Sequence, residues 1–320
     1  MSLAQSFADL LVARVAERES QIVLGLDPDP GALWPDLDGE RDGLDGQTTD
    51  EPSELAARAV LGHCCAVIDA TASACVAVKL QLARFELLGA PGWRALAAVA
   101  AHARDRGLLV IADGKRGDID VSAAAYAGAL FGGSETPFGR LHGLGADLVT
   151  VNPLMGIDAL EPFVVGAREN GAGVLVLVRT SNPGAADVED LRVEGGGAVW
   201  ERIAAIVEQL GAGGVGAAGL SDVGAVVGAT VPAHLARARE LMPHAVFLLP
   251  GVGAQGGRVE DLAPAFAAGR AGGLITASRS IVNAHLADGG ASDRLRPAEA
   301  ARAEAERLRE TAWALSLAPA

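Results

Sequence analysis

Apolar runs rich in β-branched residues recur along the chain, each closed by polar residues or by Gly and Pro. They predict eight strands, near 21–26, 75–80, 108–112, 147–151, 174–179, 215–218, 245–249 and 272–276. The runs are short and lack strict alternation, as expected of strands buried on both faces. Between them lie Ala-rich segments with helical spacing, at 53–72, 92–106, 156–170, 198–210 and 233–242. Alternating strand and helix implies parallel strands joined by right-handed crossovers. Eight such units over about 250 residues fit a closed (β/α)8 TIM barrel, the expected α/β architecture, with a doubly wound open sheet as runner-up. A final helix is predicted at 297–316. One barrel domain over residues 1–320 is expected, with an acidic insertion at about 28–52.

Composition narrows the function classes. Half of the 320 residues are hydrophobic but only 4% are aromatic, so the core must be aliphatic. The formal charge of −14 argues against a general nucleic-acid or anionic-membrane binder, which would carry a basic footprint. No apolar run is long enough to span a bilayer, and no secretory signal opens the chain. Cys64, Cys65 and Cys75 form no CxxC pair and read as reduced core residues. A cytoplasmic protein is expected. The acids at 27–54 lack the spacing of a Ca²⁺ loop, and the six scattered His residues show no convincing ligand pair. Residues 184–197, with Gly at both ends, read as a mobile connection after the fifth strand.

In a barrel, the residues just past the C-terminal strand ends face the active site. Here those ends carry Asp27-Pro28, Lys79 with Gln81, Asp113-Gly-Lys115-Arg-Gly-Asp118, Asn152-Pro153, Thr180-Ser181-Asn182, Ser221-Asp222, Pro250 through Gly257, and Ser278-Arg279-Ser280. Of 26 basic residues only two are Lys, Lys79 and Lys115, and both fall in this set. An ammonium can give up a proton, whereas a guanidinium effectively cannot. Asp113 and Lys115 stand two apart, so an extended backbone would point them to the same side. Flanked by carboxylates, Lys115 is a cation and proton donor rather than a neutral base. An isolated Asp-x-Lys is more often a structural ion pair, and it is the strand-end setting that favours chemistry.

The last two strand ends read as a phosphate grip. Gly251–Gly257 permits close backbone approach, Arg279 can make bidentate contact, and Gln255 can donate from its amide. Gly251-x-Gly253-x-x-Gly256 matches a dinucleotide fingerprint literally. It lies in no first βαβ unit, and no Asp or Glu occurs between Asp261 and Asp288, so that reading fails. Ser181 and Asn182 either hydrogen-bond a polar heterocycle or simply form a turn.

Six blocks, in order, resemble the orotidine 5′-phosphate decarboxylase family: Leu24-Gly-Leu-Asp27-Pro28, Val78-Lys79, Asp113-Gly-Lys-Arg-Gly-Asp118-Ile119, Thr180-Ser-Asn-Pro-Gly184, Pro250 to Gly257, and Ser278-Arg-Ser280. They span about residues 20 to 285, in a form similar to the longer bacterial branch. The resemblance implies a (β/α)8 homodimer converting orotidine 5′-phosphate to uridine 5′-phosphate and CO2, with no metal and no organic cofactor. It implies Lys115 as proton donor to C6 and Asp113 as the carboxylate beside the departing CO2. Lys79 would complete the charged network near the ribose. It implies substrate contacts from Asp27, Ser181, Pro250, Gln255 and Arg279, and a catalytic Asp118 that, with Ile119 and Ser122, reaches the partner subunit's site. Ser122 stands where the family usually has Thr. Related sugar-phosphate decarboxylases and synthases share Asp-x-Lys-x-x-Asp but use Mg²⁺ with Glu at the second strand, where this chain has Lys79. A non-catalytic barrel that senses a nucleotide is the third reading.

Overall fold

The computed structural model describes residues 6–35, 51–253, 256–286 and 296–317. Eight parallel strands close into a barrel in sequential order: β1 (Ile22–Leu26), β2 (Ala77–Gln81), β3 (Leu109–Arg116), β4 (Leu148–Val151), β5 (Gly173–Arg179), β6 (Val223–Val227), β7 (Phe247–Leu249) and β8 (Gly273–Ala277). Closure is direct, with Ile22, Val23 and Leu24 of β1 in register with Ile275, Thr276 and Ala277 of β8. The expected TIM barrel is the fold found. Of the insertion expected at about 28–52, residues 36–50 lie outside the described residues.

Around the barrel run α1 (Phe7–Arg18), α2 (Pro52–Thr71), α3 (Gly89–Asp105), α4 (Asp120–Ala127), α5 (Ile157–Glu169), α6 (Val199–Gly211), α7 (Pro232–Leu241) and the C-terminal α8 (Pro297–Leu315). Proline at the first turn starts α2, α7 and α8, where its missing N–H costs nothing. Two apolar cores result. One lies between strands and helices and includes Phe85, Phe163 and Phe247, all fully buried. The other fills the barrel with Val23, Ile111, Leu148, Leu175 and Leu274, and Phe7, Leu11 and Val15 of α1 pack against it. Helix α1, which the strand-and-helix pattern did not single out, thus closes the N-terminal end of the barrel. Burial of each such Leu, Ile or Phe stabilises the fold by roughly 1.5–3 kcal/mol.

The sixth strand differs from expectation. Residues 215–218 are not a barrel strand; Val215 makes only an isolated bridge to Ser221. The physical reason is local. Gly216 and Gly219 break the run, and the N–H groups of Ala217 and Ala218 donate to the Asp9 carboxylate, an acceptor no strand ladder supplies. The strand is the next apolar run, Val223–Val227. Ser221 and Asp222 therefore precede it and sit at the end opposite the expected active site. There Asp222 pairs with Arg168 at 2.7 and 3.0 Å.

Candidate active site

Along four strands the barrel interior changes from apolar to polar two residues on, which is one layer up the same face. Ala77 gives way to Lys79, Ile111 to Asp113, Leu148 to Thr150 and Leu274 to Thr276. Above this layer opens a cavity of about 920 Å³, floored by Leu177, Val226 and Leu248. Asp27, Lys79, Asp113, Lys115, Ser181, Pro250 and Arg279, all expected at the site, line it.

At its centre Asp113 accepts from four donors. Lys115 Nζ and Thr150 Oγ1 reach Oδ1 at 2.6 and 2.9 Å; Lys79 Nζ and Gln81 Nε2 reach Oδ2 at 2.6 and 3.3 Å. Burial alone would raise the Asp113 pKa, but the two ammonium groups outweigh it and hold the carboxyl down to about 2. Lys79 also lies 3.7 Å from Asp27 Oδ1. The two lysines differ in access: the Lys79 side chain is 7% exposed, that of Lys115 45%. Lys79 is a fixed charge in the wall, and Lys115 presents its ammonium to the cavity.

Lys115 meets Asp113 by a different route from the expected one. The β3–β4 register shifts between Ala112 and Arg116, so the strand bulges at this segment. Lys115 sits in the left-handed region at φ 47°, and its N–H donates to Thr150 Oγ1 at 2.9 Å. Extended geometry gave the correct meeting for the wrong reason.

Glycines make room for the neighbouring groups. A Cβ on Gly25 would stand 1.8 Å from Ser278 Oγ, so only glycine lets β1 and the end of β8 approach this closely. Arg279 begins the short helix Arg279–Val282 and is exposed toward the cavity. Gly251, Gly253 and Gly256 of the adjoining loop all have positive φ. Gln255 lies outside the described residues.

Asp118, Ile119 and Ser122 do not line this cavity. Asp118 accepts the Ile119 N–H at 2.8 Å, and the side chains of Ile119, just before α4, and Val121, in its first turn, are exposed. Three further lining residues were not anticipated. His63 on α2 accepts the Trp34 N–H through Nδ1 at 3.2 Å; burial, together with nearby His285, pushes its pKa down to about 4. Arg84 lies 3.8 Å from Asp29. Glu189 comes from the 184–197 connection, which is tied down rather than free: Arg179 clamps Asp190 at 2.8 and 2.9 Å. The opposite charges of Arg179 and Asp190 were the only sequence signal for that anchor, and their eleven-residue separation made it weak.

Residues 21–292 match the family model described as Orotidine 5'-phosphate decarboxylase / HUMPS family. An orotidine 5′-phosphate decarboxylase of Rhodopirellula baltica is 41% identical over 88% of this chain and 89% of its own. One from Deinococcus radiodurans is 42% identical over 91% and 94%. The solved structure of Leishmania donovani OMP decarboxylase superposes with a TM-score of 0.70 at 32% identity, covering 98% of this chain and all of that one.

Proposed function

The chain belongs to the orotidine 5′-phosphate decarboxylase / HUMPS family and decarboxylates orotidine 5′-phosphate to uridine 5′-phosphate and CO2 in pyrimidine biosynthesis; from that premise we propose that Lys115 is its catalytic acid. The observation that carries this reading is the Lys115–Asp113 pair, 2.6 Å apart, with the ammonium open to the cavity and the carboxylate buried.

Loss of CO2 breaks the C6–carboxyl bond and leaves its electron pair on C6, where the ring offers no evident delocalisation. A preorganised ammonium beside C6 stabilises that charge in a site of low dielectric. Lys115 then transfers a proton from Nζ to C6 and is reprotonated from solvent. Arg116 next in the chain could do the first but not readily the second. Asp113, with all four donors engaged, holds both ammonium groups in place and sets a fixed negative charge near the departing carboxylate. Lys79 orients Asp113 and, with Asp27, faces the ribose. Ser181 and Pro250 contact the pyrimidine end, and Arg279 with Gln255 takes the phosphate. Binding energy from the phosphate, remote from C6, then supports orientation of the reacting atoms.

No metal or organic cofactor takes part in this reading. Lys79 puts a buried ammonium where a metal-using relative would need a carboxylate, and like charges repel. The active unit is a homodimer in the cytoplasm. Exposed apolar side chains after β3 and β4, Ile119 and Val121 on one segment and Leu154 and Met155 on the other, support a self-complementary contact. Across that contact, Asp118, Ile119 and Ser122 complete the partner's site.

The test is turnover of orotidine 5′-phosphate in excess EDTA, in D2O, with chromatographic and mass analysis of the product. Uridine 5′-phosphate carrying one deuterium at C6 is expected. Dependence on added Mg²⁺, or binding of uridine 5′-phosphate with no conversion, would overturn the reading.

A further inference from the structure

We infer that Glu189 is a positioning residue for recognition of the pyrimidine, acting through Thr180 on the Thr180–Asn182 segment. Three features carry this. First, Glu189 Oε2 accepts the Thr180 backbone N–H at 2.8 Å, while Oε1 lies 2.9 Å from Thr180 Oγ1. One carboxylate thus fixes both the main chain and the side chain of the residue before Ser181. Second, Glu189 is itself held. Its N–H donates to Ala185 O at 2.7 Å, its carbonyl accepts the Trp200 N–H at the start of α6, and Arg179 Nη1 stands 3.5 Å from Oε2. Third, Glu189, Thr180, Ser181 and Asn182 all line the same cavity.

The hydroxyl sets a constraint of its own. Thr180 Oγ1 is 2.9 Å from Glu189 Oε1 and 2.7 Å from the Oδ1 position of Asn182. A hydroxyl has a single proton, and the two ends of an amide exchange by a 180° flip. The charged carboxylate is the stronger acceptor and takes the proton. Asn182 must then turn its NH2 to Thr180 and its carbonyl oxygen the other way. Glu189 thereby sets the polarity of the Asn182 amide as well as the position of Ser181. Gly228 at the end of β6 leaves the room this segment needs: a Cβ there would stand 2.9 Å from Ser181 Cα.

The inference rests on the proposed contact of Ser181 with the pyrimidine, and the test separates the two. Calorimetric titration of uridine 5′-phosphate and of ribose 5-phosphate is made on the wild type, Glu189→Ala, Glu189→Gln and Thr180→Val. Glu189→Ala is expected to weaken uridine 5′-phosphate about tenfold and leave ribose 5-phosphate unchanged, because only the first carries a base. Glu189→Gln, which still accepts the Thr180 N–H, recovers part of the loss. Thr180→Val, close in shape and still donating its backbone N–H to Glu189, shows a smaller loss with the same selectivity; this outcome carries the inference even if Glu189→Ala does not fold. Equal losses for both ligands, or an unchanged affinity for uridine 5′-phosphate, would overturn the inference alone. Wild-type affinity equal for the two ligands would overturn the base-site reading and the inference with it.

Discussion

Lys115 and Asp113 meet at 2.6 Å across a strand bulge, with Lys115 held at φ 47°. Left-handed backbone is unfavourable for a residue with a Cβ and persists at sites where the surroundings enforce it. Here the Thr150 hydroxyl does so by accepting the Lys115 N–H while donating to Asp113. Two substitutions that both remove the ammonium should therefore differ in stability. Lys115→Gly relieves about 1 kcal/mol of backbone strain that Lys115→Ala retains. Thermal unfolding should place Lys115→Gly above Lys115→Ala by roughly 1–3 °C. An equal or reversed order would mean that the bulge is unstrained.

Asp113 makes the fold acid-sensitive in a defined window. Its folded pKa, about 2, lies below its ordinary value of 3.8, so the unfolded chain binds more protons between those values. The stabilisation is complete above about pH 4 and is lost as pH falls toward 2. Asp113→Asn lacks this ionisation and leaves two ammonium groups without their carboxylate. Its melting temperature should lie well below that of the wild type at pH 7, and the gap should narrow as pH drops from about 4 to 2.

His63 acts in a higher window. Burial holds its folded pKa at about 4, below the ordinary 6.5, so it is neutral when native and protonates more readily when unfolded. Its contribution to stability is complete above pH 6.5 and is lost as pH falls toward 4. In His63→Asn the amide oxygen can stand in for Nδ1 as acceptor of the Trp34 N–H and does not titrate there. Melting temperature between pH 6.5 and 4.5 should fall less steeply for His63→Asn than for the wild type.

Arg279 makes no ion pair among the described residues and faces the cavity, as an arginine kept for a ligand anion would. Arg279→Ala should weaken uridine 5′-phosphate by about tenfold or more while leaving uridine nearly unchanged. Equal losses for both would refute the phosphate assignment.

Much of this was legible in the chain because barrel strands are short apolar runs whose far ends carry polar residues. Seven of the eight strands fall where those runs predict. The sixth misled because 215–218 and 223–227 are both small and apolar, and the choice between them turns on Asp9, some 200 residues away. Helix α1 lay outside the alternating pattern, since it plugs the barrel rather than crossing between strands. The charged centre was legible because Lys is rare in this chain. Glu189 was not, since its partner Thr180 lies nine residues back and only the fold of the 184–197 connection brings them together. Asp118, Ile119 and Ser122 do not line the cavity, and only the family resemblance, not the geometry of this chain, gives them a role at a site.

In the proposed mechanism the Lys115 ammonium both stabilises the C6 carbanion and protonates it. The most direct measurement is turnover of orotidine 5′-phosphate by Lys115→Ala, with circular dichroism and uridine 5′-phosphate binding measured on the same sample. Lys115→Ala should lose nearly all turnover, at least about a thousandfold as for removal of a key electrostatic donor, in a folded protein that still binds the product. Turnover within about tenfold of the wild type, with an intact spectrum, would contradict it.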